Sequence, residues 1–324
     1  MEAIIEPVDV KLLEAELTRE RFLRKTNKCD NEIYVVTRHN APNVMLEIGR
    51  LREISFRTSG GGTGFSVDID EYDSMETPYN QLIVWNPQAK EIIGGYRYMH
   101  GSEVPFDENN IPRLTSSHLF SYSEKFIKEY LPCTIEFGRS FVRPEYQSTQ
   151  MGSKSLFALD NLWDGLGALI IDFPKSKYFF GKATIYPSFG EEEQNLIFYF
   201  LDRYFSDKDQ LLHPHKPLEI TFEVKKMEEI FHGADYKENY HILKDEIRKR
   251  GKNIPPLINA YMALSPTMRT FGTTLNKEFG KVVETGLMIT MEEIFEEKRI
   301  RHVQTYIEEC MKNNKMYPGY GKIC

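Results

Sequence analysis

Two strand-like segments joined by a short turn constrain the fold of this chain more than any other feature. NQLIVWNP and EIIGGYRYM are rich in branched and aromatic residues, and Pro87-Gln88-Ala89-Lys90 between them has the composition of a hairpin turn. Two more strand-like segments, CTIEFGRSFVRP and YFFGKATI, alternate with helix-like ones further along the chain. An antiparallel pair followed by alternating strands and helices predicts a mixed α/β fold around a sheet.

Amphipathic segments indicate where helices flank that sheet. Residues 41–57 have apolar side chains at helical spacing, and so do the stretches that begin near Gly152 and at EEEQNLIFYFLDRYF. The segment 206–250 is more charged and predicts a peripheral helical insertion. We therefore expect four parts: an N-terminal extension (1–41), a central α/β core (42–205), the insertion (206–250) and a C-terminal part that completes the sheet (251–324).

Composition argues against several classes of function. The formal net charge of -7 disfavours a nucleic-acid partner, which usually meets a basic surface. The most apolar stretch, LWDGLGALIIDF, is too short to span a bilayer, and the N-terminus does not resemble a signal peptide. The four cysteines match no metal or redox motif, so we expect no resident metal or cofactor and a cytoplasmic location. Peripheral attachment to the inner face of the membrane stays open.

The glycine-rich stretch SGGGTG (residues 59–64) raises the question of a phosphate site. A Walker-type loop follows a strand and contains a lysine, whereas this one follows a helix and contains none. Two interpretations remain: a plain connection, and a lid or hinge beside a pocket, since glycines allow backbone swings and close ligand approach.

The segment CTIEFGRSFVRP offers such a pocket. Glu136 and Arg139 would face opposite sides of a regular strand, and a bulge at Gly138 would redirect one of them and expose a backbone N–H. The polar segment 147–154 then precedes a helix, whose N-terminus can hold a carbonyl oxygen or a pyrophosphate. A structural Glu–Arg ion pair is the alternative.

The order of these charged residues resembles that of acyl-homoserine-lactone synthases, which belong to the GNAT acyltransferase superfamily. The resemblance rests on Arg52-x-x-x-Phe56, Asp70-x-x-Asp73, GGYR ending at Arg97, and Glu136-x-x-Arg139. A tryptophan of those enzymes has no counterpart near the glycine loop here. RLREISFRTSGGGTG, QLIVWNP and the C-terminal extension are more similar to the "hemolysin-like" ornithine-lipid and glycine-lipid N-acyltransferases, and the resemblance covers roughly residues 42–290.

The resemblance implies a GNAT-like, mostly antiparallel sheet with a splayed or bulged middle strand. It also implies that a fatty acyl or 3-hydroxyacyl thioester, carried on acyl carrier protein or coenzyme A, is attacked by the α-amine of glycine or ornithine. That reaction is the first step of aminoacyl-lipid synthesis. A homoserine-lactone-type signal synthase and a non-enzymatic membrane-interacting protein are the alternatives.

Site residues follow from the same resemblance. Glu136 is expected to be the general base, directly or through water. Backbone N–H groups near Gly138 are expected to stabilise the oxyanion. Arg97 and Arg139 complete the expected catalytic set. The expected acceptor-binding residues are Arg52, Phe56, Asp70 and Asp73. The expected contacts of the phosphopantetheine arm are Gly138, Phe141, Val142, Gln147, Gly152 and Lys154.

Overall fold

The computed structural model describes residues 1–147, 153–219 and 222–312. Its strands are β1 (Phe22–Lys25), β2 (Glu32–Val36), β3 (Asn80–Asn86), β4 (Glu91–His100), β5 (Phe120–Tyr122), β6 (Thr134–Val142), β7 (Tyr178–Ile185), β8 (Leu212–Pro214), β9 (Arg269–Asn276) and β10 (Val282–Thr290). Its α-helices are α1 (Val10–Glu16), α2 (Pro42–Thr58), α3 (Ser153–Asp172), α4 (Glu191–Phe205), α5 (Val224–Ile230), α6 (Tyr236–Lys249), α7 (Pro256–Met262), α8 (Glu296–Arg299) and α9 (Thr305–Lys312).

One eight-stranded sheet organises the molecule. Its strand order is β1-β2-β3-β4-β6-β7-β10-β9, and every neighbouring pair is antiparallel except β6 with β7. The predicted mixed, mostly antiparallel α/β fold is confirmed. The segment that we expected to be an N-terminal extension supplies β1 and β2, and β9 and β10 come from the C-terminal part.

Alternation along β3 shows how the two faces of the sheet are covered. Leu82 and Val84 belong to the core under α3 and α4, whereas Ile83 and Trp85 belong to the core under α2. Successive side chains of a strand point to opposite faces, so both faces of this strand are buried. Pro42 begins α2, where its missing N–H costs no helical hydrogen bond.

The structure differs from the sequence expectation at α7, where the tail was expected to be β-like, and around β5. We expected a helix around residues 122–130, and the structure has β5 followed by a π-helical turn at Phe126–Tyr130. β5 pairs with β8 in a separate two-stranded sheet, and α5 and α6 also lie in the segment 206–250. Across the described ranges, none of the helices combines the length and apolar character needed to cross a membrane.

Candidate active site

The sheet opens at the middle strand β6. Its parallel pairing with β7 ends at Glu136. On the other edge, the register shifts between Gly95 and Arg97 of β4, which leaves an extra residue on β6. Arg139 in this bulge has a φ of +49°, a left-handed conformation that few non-glycine residues adopt. The sequence placed the bulge at Gly138, whereas the left-handed residue is the next one.

A cavity of about 630 Å³ lies between the splayed strands and the C-terminal end of α2. Its polar wall comprises Ser55, Ser59, Tyr72, Arg97, Thr115, Arg139, Lys182, Thr184, Tyr186 and Glu284. Its apolar wall comprises Phe137, Ala158, Leu159, Leu162, Leu257 and Tyr261. Phe56, Gly138, Phe141, Val142, Gln147 and Phe279 are also in contact with the cavity.

Four of the predicted residues form one buried ion-pair network behind the polar wall. Arg97 Nη1 lies 2.7 Å from Asp70 Oδ1 and 3.1 Å from Asp73 Oδ1. Arg52 Nη1 lies 3.1 Å from Asp73 Oδ2, and Arg52 also donates to Gln81. Burial lowers the pKa of Arg97, but Asp73 and Asp70 outweigh it and raise that pKa well above its usual value, so Arg97 stays charged.

This network corrects part of the predicted acceptor site. The side chains of Arg52 and Asp73 are completely buried against each other and do not line the cavity, and neither does Asp70. Of the network, only Arg97 reaches the cavity lining in the described structure. Asp70 and Asp73 hold its guanidinium, and Arg52 pairs with the other oxygen of Asp73.

Arg139 is held by a partner that the sequence did not predict. Its Nε lies 2.9 Å from Asp68 Oδ2, whereas Asp70 Oδ2 lies 3.8 Å from Nη2. The Arg139 guanidinium also lies 4.4 Å from the centroid of the Phe279 ring, which contacts Phe56 edge-on at 5.0 Å. The bulge therefore places a fixed cation in the polar wall.

Glu136 does not line the cavity. Its carboxylate accepts hydrogen bonds from the Tyr79 hydroxyl, from the Thr115 N–H and hydroxyl at 3.2 Å each, and from the Ser116 N–H at 3.0 Å and its hydroxyl. The residue is 2% exposed. A general base must reach the proton that it removes, and five donors already surround this carboxylate. The geometry does not support the prediction that Glu136 takes the proton directly.

Two residues of the cavity lining each have a buried polar atom without a hydrogen-bond partner among the described residues. These atoms are Arg97 Nε and Ser55 Oγ, and the two residues are 2% and 3% exposed. A Cβ at Gly138 would lie 3.6 Å from Arg97 Nε and 3.4 Å from Thr115 Oγ1. Gly138 therefore leaves room beside an unpaired donor, and buried donors are normally satisfied.

Two charged residues of the polar wall were missed in the sequence. Lys182 on β7 and Glu284 on β10 are 3.5 Å apart (Nζ to Oε2), and Lys182 also donates to the Thr115 carbonyl at 3.1 Å. Each stands in an otherwise apolar strand segment, YFFGKATI and VVETGLMI. The signal available in the sequence was a single charged residue within each strand segment. Charged residues are seldom buried unless they are paired, so two such residues indicate a buried ion pair.

The glycine loop is tied to α2 and does not have the free backbone donors of a phosphate cradle at Thr63 and Gly64. Buried Glu53 accepts from Thr63 N at 3.0 Å, Thr63 Oγ1 at 2.8 Å and Gly64 N at 2.7 Å, so these backbone donors are already used. A Cβ at Gly61 would lie 2.8 Å from Cε1 of Tyr186. Only glycine lets the loop pack this closely against the ring.

A second, smaller pocket of about 40 Å³ continues the apolar wall between β6 and β7. Phe137, Ser140, Leu159, Leu162, Leu257 and Tyr261 line it, and it extends to Trp163, Leu166, Leu264, Leu287 and Ile289. Ser140 on the bulge contributes a polar side chain to its lining. The apolar side of the site thus leads into the core from the bulge.

The structure brings together four of the residues predicted to contact the phosphopantetheine arm: Gly138, Phe141, Val142 and Gln147 all line the cavity. Gly152 lies outside the described residues, and so does the side chain of Lys154.

Comparison with known proteins gives a consistent result. Residues 51–155 match the family model described as an acetyltransferase (GNAT) domain. A protein of Bacteroides thetaiotaomicron named glycine N(alpha)-acyltransferase is 61% identical over 308 residues, covering 95% of this chain and 91% of that protein. A protein of Phocaeicola vulgatus with the same name is 57% identical over 319 residues, covering 98% of each.

Among solved structures, the chain is similar to a CoA-dependent acyl-homoserine lactone synthase with bound SAM and isopentyl-CoA. The sequence identity is 10% and the TM-score 0.36, with 86% of this chain and 89% of the other covered. The identity with the two relatives, over nearly the whole chain, confirms the predicted GNAT-type N-acyltransferase. The chain belongs to the family of glycine N(alpha)-acyltransferases and is an N-acyltransferase with a GNAT domain.

Proposed function

We propose that this enzyme transfers a fatty acyl group from an acyl thioester to the α-amine of glycine. The observation that carries the proposal is the cavity at the β6 bulge, which joins a charged wall to an apolar one. An amino acid is charged and a fatty acyl chain is apolar, so each wall fits one substrate. The names of the two relatives support glycine as the acceptor.

The bulge is the proposed place of acyl transfer. β6 has no ladder partner on its β7 edge beyond Glu136, and Gly138, Ser140 and Phe141 from this part of the strand line the cavity. Backbone N–H groups along this edge would stabilise the oxyanion that forms when the amine attacks the thioester carbonyl. One such donor typically lowers the barrier by about 3 kcal/mol.

The acceptor carboxylate is proposed to bind the two guanidinium groups of the polar wall. Arg97 has an unpaired Nε–H, and Arg139 is fixed beside it by Asp68 and Phe279. Guanidinium groups are well matched to carboxylates. Phe279 and Tyr186, which also line the cavity, pack against the glycine loop at Gly61. The choice of glycine over ornithine rests on the names of the two relatives.

The donor is proposed to lie with its acyl chain along the apolar wall and its phosphopantetheine arm past Gly138, Phe141, Val142 and Gln147. Both acyl carrier protein and coenzyme A present that arm. An N-acylated glycine made from a long-chain donor is amphiphilic. We therefore place the reaction at the start of aminoacyl-lipid synthesis, on a cytoplasmic protein that delivers its product to the inner face of the membrane.

The test is an assay with purified protein. Acyl-CoA and acyl carrier protein thioesters are each offered with glycine, alanine, serine, ornithine, S-adenosylmethionine or glycinamide, and products are identified by mass spectrometry while thiol release is followed. We expect N-acylglycine as the main product. Glycinamide lacks the carboxylate, so its kcat/KM should be lower than that of glycine by about tenfold or more, the value of one charged hydrogen bond.

The thioester without acceptor serves as the control for hydrolysis. Release of thiol without an N-acyl product, or equal rates with glycine and glycinamide, would contradict the proposal. A lactone product from S-adenosylmethionine would indicate the signal synthase instead.

A further inference from the structure

The proposed reaction needs a group that accepts a proton from the acceptor nitrogen. The predicted base, Glu136, is surrounded by five donors and does not line the cavity. Within the described ranges, Glu284 is the carboxylate that does line it. It lies on β10, on the other side of β7 from the bulge.

Neighbouring strands hold the Glu284 carboxylate in one orientation. Oε1 accepts from Thr184 Oγ1 at 3.2 Å, and Oε2 accepts from Asn276 Nδ2 at 3.1 Å and lies 3.5 Å from Lys182 Nζ. Thr184 stands opposite Glu284 in the β7–β10 ladder. A carboxylate offers about four lone-pair sites, so this one can accept a further hydrogen bond from a ligand in the cavity.

The charges nearby keep this carboxylate ionised. Burial alone would raise the pKa of Glu284, but Lys182 and the hydrogen bond from Asn276 outweigh it and leave the pKa below its usual value. Arg139, His118 and Tyr186 are further charged or titratable groups that interact with it. An ionised, partly satisfied carboxylate beside two fixed cations is suited to an acceptor that carries both a carboxylate and an amine.

We propose that Glu284 is the proton acceptor of the reaction: it accepts a hydrogen bond from the acceptor amine and takes its proton as the C–N bond forms. This rests on the function proposed above. The Glu284–Lys182 pair places the carboxylate in the same wall as Arg97 and Arg139, which are proposed to hold the acceptor carboxylate. Glu136 then has a positioning role, since it orders the segment containing Thr115 and Ser116.

Glycine loses one proton to water when it becomes a neutral amine. The nitrogen attacks the thioester carbon, the C–N bond forms and the nitrogen becomes positively charged, hence far more acidic than free ammonium. Glu284 takes that proton, the C–S bond breaks, and the departing thiolate receives it. Even a carboxylate with a low pKa can serve, because it accepts the proton from this acidic intermediate.

Glu284→Ala tests the proposal by chemical rescue. We expect kcat with glycine to fall by about a hundredfold or more, the contribution typical of a positioned base. Added formate, a small carboxylate that fits the vacated space, should restore activity by about tenfold or more. The KM for the acyl thioester should stay near that of the wild type, because Glu284 does not contact the donor in this scheme.

Glu193→Ala is the matched control. Glu193 is also a buried glutamate paired with a lysine, with Oε1 2.8 Å from Lys252 Nζ, but it does not line the cavity. We expect it to keep nearly full activity and to show no response to formate. If Glu284→Ala does not fold, Glu284→Asp should fold and lower kcat by about tenfold, because its shorter side chain withdraws the carboxylate.

Three outcomes would overturn the proposal. One is wild-type turnover in Glu284→Ala or Glu284→Asp. Another is a folded, inactive Glu284→Ala that formate does not restore, which would make the role of Glu284 structural. The third is loss of turnover in folded Glu136→Gln while Glu284→Ala stays active, which would return the role to Glu136. If the wild type itself does not acylate glycine, the proposed function fails instead.

Discussion

Glu53 shows how one buried carboxylate can fix a flexible stretch of backbone. The glycine loop contains three residues with positive φ, Gly60, Gly62 and Gly64, and would lose much conformational entropy on ordering. Glu53 compensates by accepting hydrogen bonds from the loop at Thr63 and Gly64, and Arg57 Nε lies 2.7 Å from its Oε1. The side chain that closes the loop thus belongs to α2, which also supplies the cavity residues Ser55, Phe56 and Ser59.

The protonation of Glu53 should therefore affect stability. Burial raises the pKa of Glu53, but hydrogen bonds from Arg57 and Thr63 outweigh it, so the folded-state pKa lies below the ordinary value of 4.5. Because the folded-state pKa is lowered, ionised Glu53 contributes to the free energy of unfolding fully above pH 4.5. This contribution is lost as the pH falls through the lower pKa of the folded state. Glu53→Gln should cost about 1–3 kcal/mol at neutral pH and progressively less in acid, measured by urea unfolding across pH.

The exposed pair of Glu124 with Lys128 gives the control for this experiment. Glu124→Gln removes a similar ion pair from the surface, where the interaction is screened, and should change stability little at any pH. A Glu53→Gln deficit that stays constant down to the acid transition would contradict the assigned role of the carboxylate.

Single residues of the site were predictable to different degrees. Arg97 and Arg139 could be assigned to the cavity from spacing and resemblance, and both line it. Glu136 was located on the right strand, but its donors come from Thr115 and Ser116, in a connection with no recognisable pattern. Glu284 lies in the C-terminal extension, distant in sequence from the charged motifs, and the β7–β10 register brings it to the site.

At the level of elements, the packing of α3 over the opened sheet determines the shape of the apolar wall. Leu159 and Leu162 line both the large cavity and the smaller pocket, whereas Leu166, one turn further, lines the smaller pocket alone. A chain entering from the bulge would pass Leu162 before it reached Leu166. The depth of this space would then limit the length of the acyl group.

Two substitutions on α3 should shorten the preferred acyl chain by different amounts. Leu162→Phe fills the junction of the two spaces and should shift the preference to markedly shorter chains. Leu166→Phe fills only the deeper pocket and should penalise only the longest ones. Each methylene of the acyl chain that can no longer be buried costs about 0.8 kcal/mol, which lowers kcat/KM roughly fourfold per carbon. Competition between thioesters of different chain length, read by mass spectrometry, measures the shift.

Leu169→Phe controls for simple overpacking of α3, because Leu169 is buried on the same helix and lines neither space. It should lower stability without changing chain preference. If all three variants keep the chain-length preference of the wild type, the acyl chain lies elsewhere.

Elements with strong periodicity were predictable, and irregular ones were not. The predicted segments YFFGKATI and EEEQNLIFYFLDRYF begin and end at the same residues as β7 and α4. Their apolar or amphipathic patterns stop at these residues, which makes the boundaries visible in the sequence. The π-helical turn at Phe126–Tyr130 was read as part of an ordinary helix, because local propensity does not distinguish the two. The bulge position depended on the pairing of β6 with β4, which is a tertiary property.

At the level of the whole molecule, the site is built from both the N-terminal and the C-terminal part of the chain. The GNAT match ends at residue 155, and Lys182, Glu284, α7 and Phe279 all lie beyond it. β7 pairs with β10 over eight residues, from Tyr178 to Ile185, but with β6 over only three. The opened edge of β7 is thus supported mainly by the C-terminal strands.

A fragment of residues 1–205 should therefore fail to form a working core, although it contains every residue predicted from the sequence motifs. Without β10, β7 would present an unpaired apolar edge, and such edges promote aggregation. We expect the fragment to be insoluble or to unfold without cooperativity, as judged by size-exclusion chromatography and circular dichroism. Co-expression with residues 206–324 should restore a folded complex and N-acyltransferase activity, since the second fragment supplies β9, β10 and Glu284. A soluble, active 1–205 fragment would show that the C-terminal strands only extend a self-sufficient domain.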